Sequence, residues 1–143
     1  MLIKIKRFDK QILLPTYKTS GAAAIDLYSR VTVTIKPHSV ELIPLNIAIE
    51  VPNGYFSLLV TRSSTYKLGL TSINGVGIID RDYCGDNDEL MFPLMNYTSK
   101  KVTIEKATRI AQLIIIKNDI FDIKEVDKLK SINRGGFGTT GKK

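Results

Sequence analysis

The segment VTVTIK, residues 31–36, alternates apolar and polar side chains along its whole length. Successive side chains of an extended chain point to opposite faces, so this spacing places the two valines and Ile35 on one face. The same spacing recurs at residues 47–51 and 102–104. These segments predict β-strands that each turn one face toward a core.

Four further segments are almost continuously apolar, which is typical of strands buried on both faces. They are residues 55–60, 76–79, 90–95 and 110–116. Turn-forming residues such as Pro52-Asn53-Gly54 and Asn74-Gly75 separate them. Many short strands with frequent turns predict an all-β fold, a barrel or a sandwich. Only residues 63–68 predict a helix, a short one with a serine as its N-cap.

The length of 143 residues suits one domain with a core of its own. We divide the chain into a β domain, residues 1–130, and a tail, residues 131–143. The glycine-rich sequence of the tail, SINRGGFGTTGKK, predicts mobility. No stretch is apolar enough for a signal peptide or a membrane span, and a single cysteine, Cys84, fits a reducing compartment. We therefore expect a cytoplasmic protein.

The formal net charge of +7 favours an anionic partner such as nucleic acid, a membrane surface or a phosphorylated substrate. The basic residues are spread along the chain, which makes nucleic acid the weaker interpretation and explains most lysines as surface solvation. One histidine, His38 in a turn, argues against a histidine-rich zinc site or a catalytic triad. The chain also lacks the GxxxxGK[ST] phosphate-binding loop.

Five short segments occur in an informative order along the chain. They read AIDLY at 24–28, RSS at 62–64, NGVGIIDRDYCG at 74–85, RIAQL at 109–113 and RGGFG at 134–138. In order and approximate spacing they closely resemble the five motifs of the trimeric deoxyuridine triphosphatase (dUTPase) family, over about residues 15–141. Each segment alone is weakly specific, whereas the set with its long third member is highly specific.

The resemblance implies a distorted jelly-roll-like β fold, a homotrimer with shared active sites, and Mg²⁺-assisted hydrolysis of dUTP to dUMP and pyrophosphate. It makes Asp80 the general base that activates water for attack at the α-phosphorus. It also makes Tyr83 the residue whose ring packs against the deoxyribose. Taken alone, an aspartate after a strand is more often a turn residue. Because magnesium keeps waters and prefers phosphate oxygens, no cage of protein ligands is expected.

The remaining site residues follow from the same resemblance. The uracil pocket is expected in a hairpin from Asn74 to Tyr83, where glycines let backbone groups approach the base. The implied pocket residues are Asn74, Gly75, Val76, Gly77 and Ile79. The implied phosphate contacts are Arg62, Ser63, Ser64 and Gln112, and the implied water-mediated metal support is an Asp26–Arg109 pair.

The tail is expected to close over the bound substrate as a lid. In this interpretation Phe137 stacks over uracil, while Arg134 and the backbone around Gly138 wrap the phosphates. The sequence RGGFG also resembles an RNA-binding tail, although a single copy is poor support for that alternative.

Some positions depart from the family pattern. Thr61 stands in place of a usual proline, Ala107 and Thr108 in place of a usual glycine and acid, and residues 86–88 look like an insertion. None of these changes removes a chemical group that the mechanism needs. Two alternative functions stay open: a dCTP deaminase-like enzyme, for which Glu89 is the only nearby acid, and a non-catalytic relative that binds nucleotide or RNA.

Overall fold

The computed structural model describes residues 1–136 of the chain. Within that range lie eleven β-strands and one short 3₁₀ helix. Phe137 and Gly138, with the rest of the predicted mobile tail from residue 137 onward, lie outside the described residues.

The strands are numbered in chain order. Their bounds are β1 Lys4–Arg7, β2 Ile25–Tyr28, β3 Val33–Ile35, β4 Val40–Pro44, β5 Ile47–Glu50, β6 Tyr55–Thr61, β7 Leu70–Ser72, β8 Gly77–Ile79, β9 Met91–Asn96, β10 Val102–Ile104 and β11 Arg109–Lys117. The helix, Thr65–Leu68, lies between β6 and β7.

These strands form two larger antiparallel sheets and two strand pairs. The order is β2-β11-β6-β8 in the four-stranded sheet and β4-β9-β7 in the three-stranded sheet, and the pairs are β1-β5 and β3-β10. The four-stranded sheet carries four of the five motif segments on or directly after its strands. It is therefore the platform on which the candidate site is built.

One continuous apolar core receives side chains from both larger sheets. Leu27, Leu59 and Leu113 come from the four-stranded sheet, and Phe92 and Leu94 come from the three-stranded sheet. Each side chain of this size contributes about 1.5–3 kcal/mol when it is fully buried. The predicted all-β fold is confirmed.

All seven segments predicted as strands contain one: β3, β5, β6, β8, β9, β10 and β11. The sequence did not predict β1, β2, β4 and β7, each of which is five residues or shorter. These strands show too few alternating apolar positions for periodicity to reveal them. Long-range pairing, such as that of β1 with β5, forms them instead.

The predicted helix is shorter than expected. Residues 63–68 contain one 3₁₀ turn, and Ser64 occupies the N-cap position without a side-chain hydrogen bond to the helix. A serine therefore occupies the N-cap position as predicted, but its hydroxyl does not cap the turn. Gly69 ends the turn with a φ of 73°, a left-handed conformation that glycine adopts without a steric penalty.

The described chain ends in a segment without strand or helix, residues 118–136. Several large apolar side chains in it are exposed, among them Ile120, Phe121, Ile123 and Leu129. A division of the chain at residue 130 stays a prediction, although the last strand ends at Lys117. No helix in residues 1–136 is long and apolar enough to cross a lipid bilayer.

Candidate functional site

The carboxylate of Asp26 on β2 joins three of the predicted site residues. Arg62, just after β6, donates from Nε to Oδ1 at 2.9 Å, and Arg109, at the start of β11, donates from Nη1 to Oδ2 at 3.0 Å. Gln112 lies opposite Asp26 in the β2–β11 register and donates from Nε2 to Oδ1 at 3.4 Å. We call these four residues the arginine cluster. The ion pair between Asp26 and Arg109 is thus present, while its role in metal support stays a prediction.

The electrostatics of the arginine cluster favour an anion. Burial would raise the pKa of the Asp26 carboxyl, but the hydrogen bond and charge of Arg62, aided by Gln112 and Arg109, hold this pKa below its ordinary value. The ionised carboxylate faces two guanidinium groups, so one positive charge is left uncompensated. The Arg109 side chain is 44% exposed, and guanidinium groups match phosphate oxygens in geometry. The cluster can therefore bind phosphate.

The two serines of the second motif lie beside this cluster in the chain. Ser63 is exposed and Ser64 is half-buried. The carbonyl of Arg62 accepts a hydrogen bond from the amide of Thr65 at 3.0 Å, and the carbonyl of Ser64 accepts one from the amide of Lys67 at 3.0 Å. These two bonds form the turn in which both serines lie, directly after Arg62 in the chain.

The predicted uracil hairpin is wrong in its topology. The strand before it, β7, belongs to the three-stranded sheet, whereas β8 pairs with β6 at the edge of the other sheet. Asn74, Gly75 and Val76 therefore form an exposed turn between two sheets, with the amide of Gly75 donating to the carbonyl of Ser72 at 3.2 Å. As an edge strand, β8 turns one row of backbone groups away from β6.

Glycine is favoured both at Gly75 in the turn and at Gly77 in β8, but for different structural reasons. Gly75 has a φ of 69°, which a residue with a side chain rarely adopts, and the space beside it is open. Gly77 lies so close to β6 that a Cβ atom would come within 3.3 Å of the Cβ of Leu59. Gly77 therefore allows close approach of the two strands, and Gly75 shapes the turn before them.

Asp80 and Tyr83 lie in the turn that follows β8. The amide of Tyr83 donates to the carbonyl of Asp80 at 3.2 Å, which places both side chains on one short turn. With Ile78 and Ile79 they line a cavity of about 200 Å³. Asp80 is exposed and Ile78 is 68% exposed, so the isoleucines do not shield Asp80 from solvent within one chain.

A partly buried ion pair outside the five motifs, Arg30–Glu89, supports this turn. Glu89 is 9% exposed, and its carboxylate accepts hydrogen bonds from Nε and Nη2 of Arg30 at 2.8 and 2.9 Å. The same carboxylate accepts a bond from the backbone amide of Asn46 at 2.8 Å. The carbonyl of Glu89 accepts a bond from the Tyr83 hydroxyl at 3.1 Å. No spacing in the sequence indicates this pairing, because Arg30 and Glu89 lie 59 residues apart.

The turn and the arginine cluster lie at opposite ends of β6. Ser57 opposes Ile79, so Asp80 comes one step beyond that pair, level with Phe56. Arg62 follows six residues further along the chain, which at the rise of an extended strand is about 20 Å. Within one chain, the turn and the arginine cluster are therefore separate surfaces.

Arg134, the first residue of the last motif, is exposed in the irregular segment at the end of the described chain. The structure does not bring it to the arginine cluster or to the turn at Asp80 by any direct contact that it describes. Of the predicted lid, Phe137 and Gly138 lie outside the described residues, so this part of the site stays a prediction.

Comparison with known proteins identifies the chain's relatives. A family model described as dUTPase matches residues 10–141. The SPbeta prophage-derived deoxyuridine 5'-triphosphate nucleotidohydrolase of Bacillus subtilis strain 168 is 41% identical over 145 residues, covering 100% of both chains. The deoxyuridine 5'-triphosphate nucleotidohydrolase of Orientia tsutsugamushi strain Ikeda is 38% identical over 151 residues, again covering 100% of both.

Solved structures give the same result for the fold. A dUTPase from Streptococcus mutans superposes with a TM-score of 0.76 at 27% identity, covering 82% of this chain and 98% of that one. A dUTPase of Staphylococcus bacteriophage 80alpha superposes with a TM-score of 0.84 at 24% identity, covering 98% of both chains. The strands therefore form the jelly roll of these proteins, and the chain belongs to the dUTPase family.

Proposed function

We propose that this chain hydrolyses dUTP to dUMP and pyrophosphate by attack of water on the α-phosphorus. The single observation that carries the proposal is the turn after β8, where Asp80 and Tyr83 line one cavity. A carboxylate there can accept the proton of the attacking water. The family membership and the names of the relatives, deoxyuridine 5'-triphosphate nucleotidohydrolase, support dUTP as the substrate.

The edge strand β8 and the turn before it are suited to recognise uracil. Backbone groups from Asn74 to Ile79 on the side away from β6 can pair with the polar edge of a base. Cytosine presents the opposite donor and acceptor pattern at two positions, which leaves groups unpaired, and a site of this kind discriminates by about 10⁴. Tyr83, with its ring on the deoxyribose, excludes a 2′-hydroxyl.

The arginine cluster, with Ser63 and Ser64, is proposed to hold the phosphate chain. Both Asp26 oxygens already accept hydrogen bonds from arginine, so a metal ion fits here through its waters rather than through direct ligation. Residues 1–136 contain no group of three or more His, Cys, Asp or Glu side chains that could hold a metal ion. Magnesium, when bound with the substrate, supplies charge neutralisation at the phosphate oxygens.

The 20 Å separation supports sites shared between subunits of a homotrimer. In one chain the backbone positions of Asp80 and Arg62 lie about 20 Å apart along β6, which is a long span for one triphosphate. A closed ring of three copies, by contrast, can bring the turn of one chain to the arginine cluster of the next. We propose that each active site takes these two parts from different chains.

An exposed apolar face of the three-stranded sheet also supports self-association. Val40 and Leu42 on β4 are 46% and 54% exposed, and they oppose Met95 and Pro93 on β9. Ile73, whose amide donates to the carbonyl of Pro93, is 53% exposed on the neighbouring strand side. Contiguous apolar patches of this kind commonly mark protein–protein contacts.

Mixing two inactive variants tests the shared site. We expect Asp80→Asn and Arg62→Gln each to be inactive alone, but co-assembly in equal amounts to restore about a quarter of the wild-type activity. A quarter is the chance that a site receives an intact Asp80 from one chain and an intact Arg62 from another. Pyrophosphate release after subunit exchange measures this recovery. Absence of recovery, with mixed assemblies verified by differential tags, would contradict the sharing of sites.

Substrate choice and metal dependence are tested with the wild-type chain. We expect pyrophosphate release from dUTP, lost when EDTA removes magnesium and restored when magnesium is added in excess. UTP, dTTP and dCTP serve as parallel substrates, and we expect each to react far more slowly than dUTP. Equal rates with dCTP and dUTP would contradict the proposed reading of the base edge.

The structure also bears on the deaminase alternative. The carboxylate of Glu89, the only acid that sequence analysis could offer as a deaminase catalyst, is buried against Arg30 and the amide of Asn46. It is therefore already occupied by structural hydrogen bonds. Release of ammonia from dCTP would nevertheless favour this alternative over the proposed hydrolysis.

For the cellular location we propose the cytoplasm, since the one cysteine is a free, exposed thiol.

A further inference from the structure

The side chain of Tyr83 is only partly packed. It is 41% exposed, and the residues around it in the turn, from Asp80 to Asn87, are exposed as well. The specific bond that the structure gives its side chain runs from the hydroxyl to the carbonyl of Glu89 at 3.1 Å. The orientation of the ring therefore depends on the position of the backbone at Glu89.

The Glu89 side chain holds that backbone, together with main-chain hydrogen bonds of the next residue, Leu90, to Ile47 and Leu45. Its two carboxylate oxygens accept hydrogen bonds from Nε and Nη2 of Arg30. One of these oxygens also accepts a hydrogen bond from the backbone amide of Asn46. Arg30 is itself tied to the fold, because its amide donates to the carbonyl of Pro44 at 2.8 Å. Asn46 has a φ of 69° in the tight turn between β4 and β5. Glu89 is thus anchored to a rigid corner of the core.

We propose that Arg30 and Glu89 are positioning residues that set the place of the Tyr83 ring and, through it, the selectivity for deoxyribose over ribose. This inference rests on the proposed function, in which Tyr83 lies against the sugar. The path runs from the Arg30 fork to the Glu89 carboxylate, then through the Glu89 backbone carbonyl to the Tyr83 hydroxyl. Neither Arg30 nor Glu89 touches the substrate in this arrangement.

A small shift of the ring is sufficient for a large effect. Misplacement of a positioning group by about 1 Å can cost about a hundredfold in rate. For a ring that excludes a hydroxyl group by contact, the same shift opens space for the ribose 2′-hydroxyl. Loss of positioning should therefore lower the preference for dUTP over UTP, whereas general loss of stability lowers both rates together.

The test compares kcat/KM for dUTP and UTP in Arg30→Met, Tyr83→Phe and the double variant. Arg30→Met keeps the hydrocarbon part of the side chain but removes the guanidinium group. Tyr83→Phe keeps the ring but removes the hydroxyl. We expect each single variant to lower the dUTP-over-UTP ratio about tenfold or more, and the double variant to lower it no further than the stronger single one. Arg30→Lys, which keeps the charge but loses the two-armed geometry, should fall between wild type and Arg30→Met.

Lys4→Met provides the control, because it removes an ion pair, Lys4–Glu50 at 2.9 Å, that involves neither Glu89 nor Tyr83. It should leave the ratio unchanged. If Arg30→Met reduces both rates equally, or if the effects of the two single variants multiply in the double variant, the inference is overturned. Tyr83→Ala distinguishes a failure of the proposed sugar contact from a failure of the positioning path. An unchanged dUTP-over-UTP ratio in Tyr83→Ala would refute the sugar contact. A lowered ratio in Tyr83→Ala, together with an unchanged ratio in Arg30→Met, would refute only the positioning path.

Discussion

Asp80→Asn should lower kcat for dUTP hydrolysis by about 10²–10⁴-fold, the usual contribution of a general base. The amide keeps the size of the carboxylate but cannot accept a proton from water at neutral pH. Because Asp80 is exposed and makes no ion pair that the structure describes, the variant should fold like the wild type. The variant should still bind a non-hydrolysable dUTP analogue, as measured by calorimetry, while single-turnover hydrolysis is lost.

Asp82→Asn is the matched control for this prediction. Asp82 is also an exposed carboxylate of the same turn, two residues further along the chain. If the loss in Asp80→Asn came only from a change in local charge, both variants would lose activity to a similar extent. A loss of less than tenfold in Asp80→Asn would rule out its assignment as the base.

Deletion of residues 131–143 should leave the β fold intact but reduce catalysis by about a hundredfold or more. Within residues 1–136, all of the buried core side chains lie before residue 118, so the unfolding midpoint should change little. The loss should instead appear in kcat/KM, because Arg134 and Phe137 are proposed to close over the phosphates and the base. Circular dichroism and steady-state kinetics on the same preparation measure the two quantities separately.

A shorter truncation controls for the loss of positive charge at the end of the chain. Deletion of Lys142 and Lys143 alone preserves the last motif, and we expect it to be close to wild type. Full activity in the longer truncation would mean that the final motif has no role in closure, whatever its resemblance to the family.

The long apolar strands were predictable because their own residues specify them. Strand β11, with the sequence RIAQLIIIK, and strand β9 are apolar enough to be recognised locally. Strand β1, with the sequence KIKR, contains one apolar residue and exists because β5 offers it a partner. Local periodicity cannot report such a partner, which is why the short strands escaped prediction.

The site was predictable in its members more than in its geometry. The motifs identified Asp26, Arg109 and Gln112, and the structure joins them, but the hydrogen bond from Arg62 to Asp26 spans 36 residues and left no signal in the sequence. The segment after Asn74 resembles a hairpin because a turn precedes an apolar run. The strand before that turn pairs with β9 in another sheet, a choice made by the whole fold.

The length of β6 has a consequence for cells that contain more than one version of this chain. With the turn at one end of the strand and the arginine cluster at the other, a copy that has lost both parts would, under the proposed sharing, impair two sites at once. In a mixed population the activity would then fall more steeply than the fraction of intact chains, because every working site needs an intact part from each of two chains.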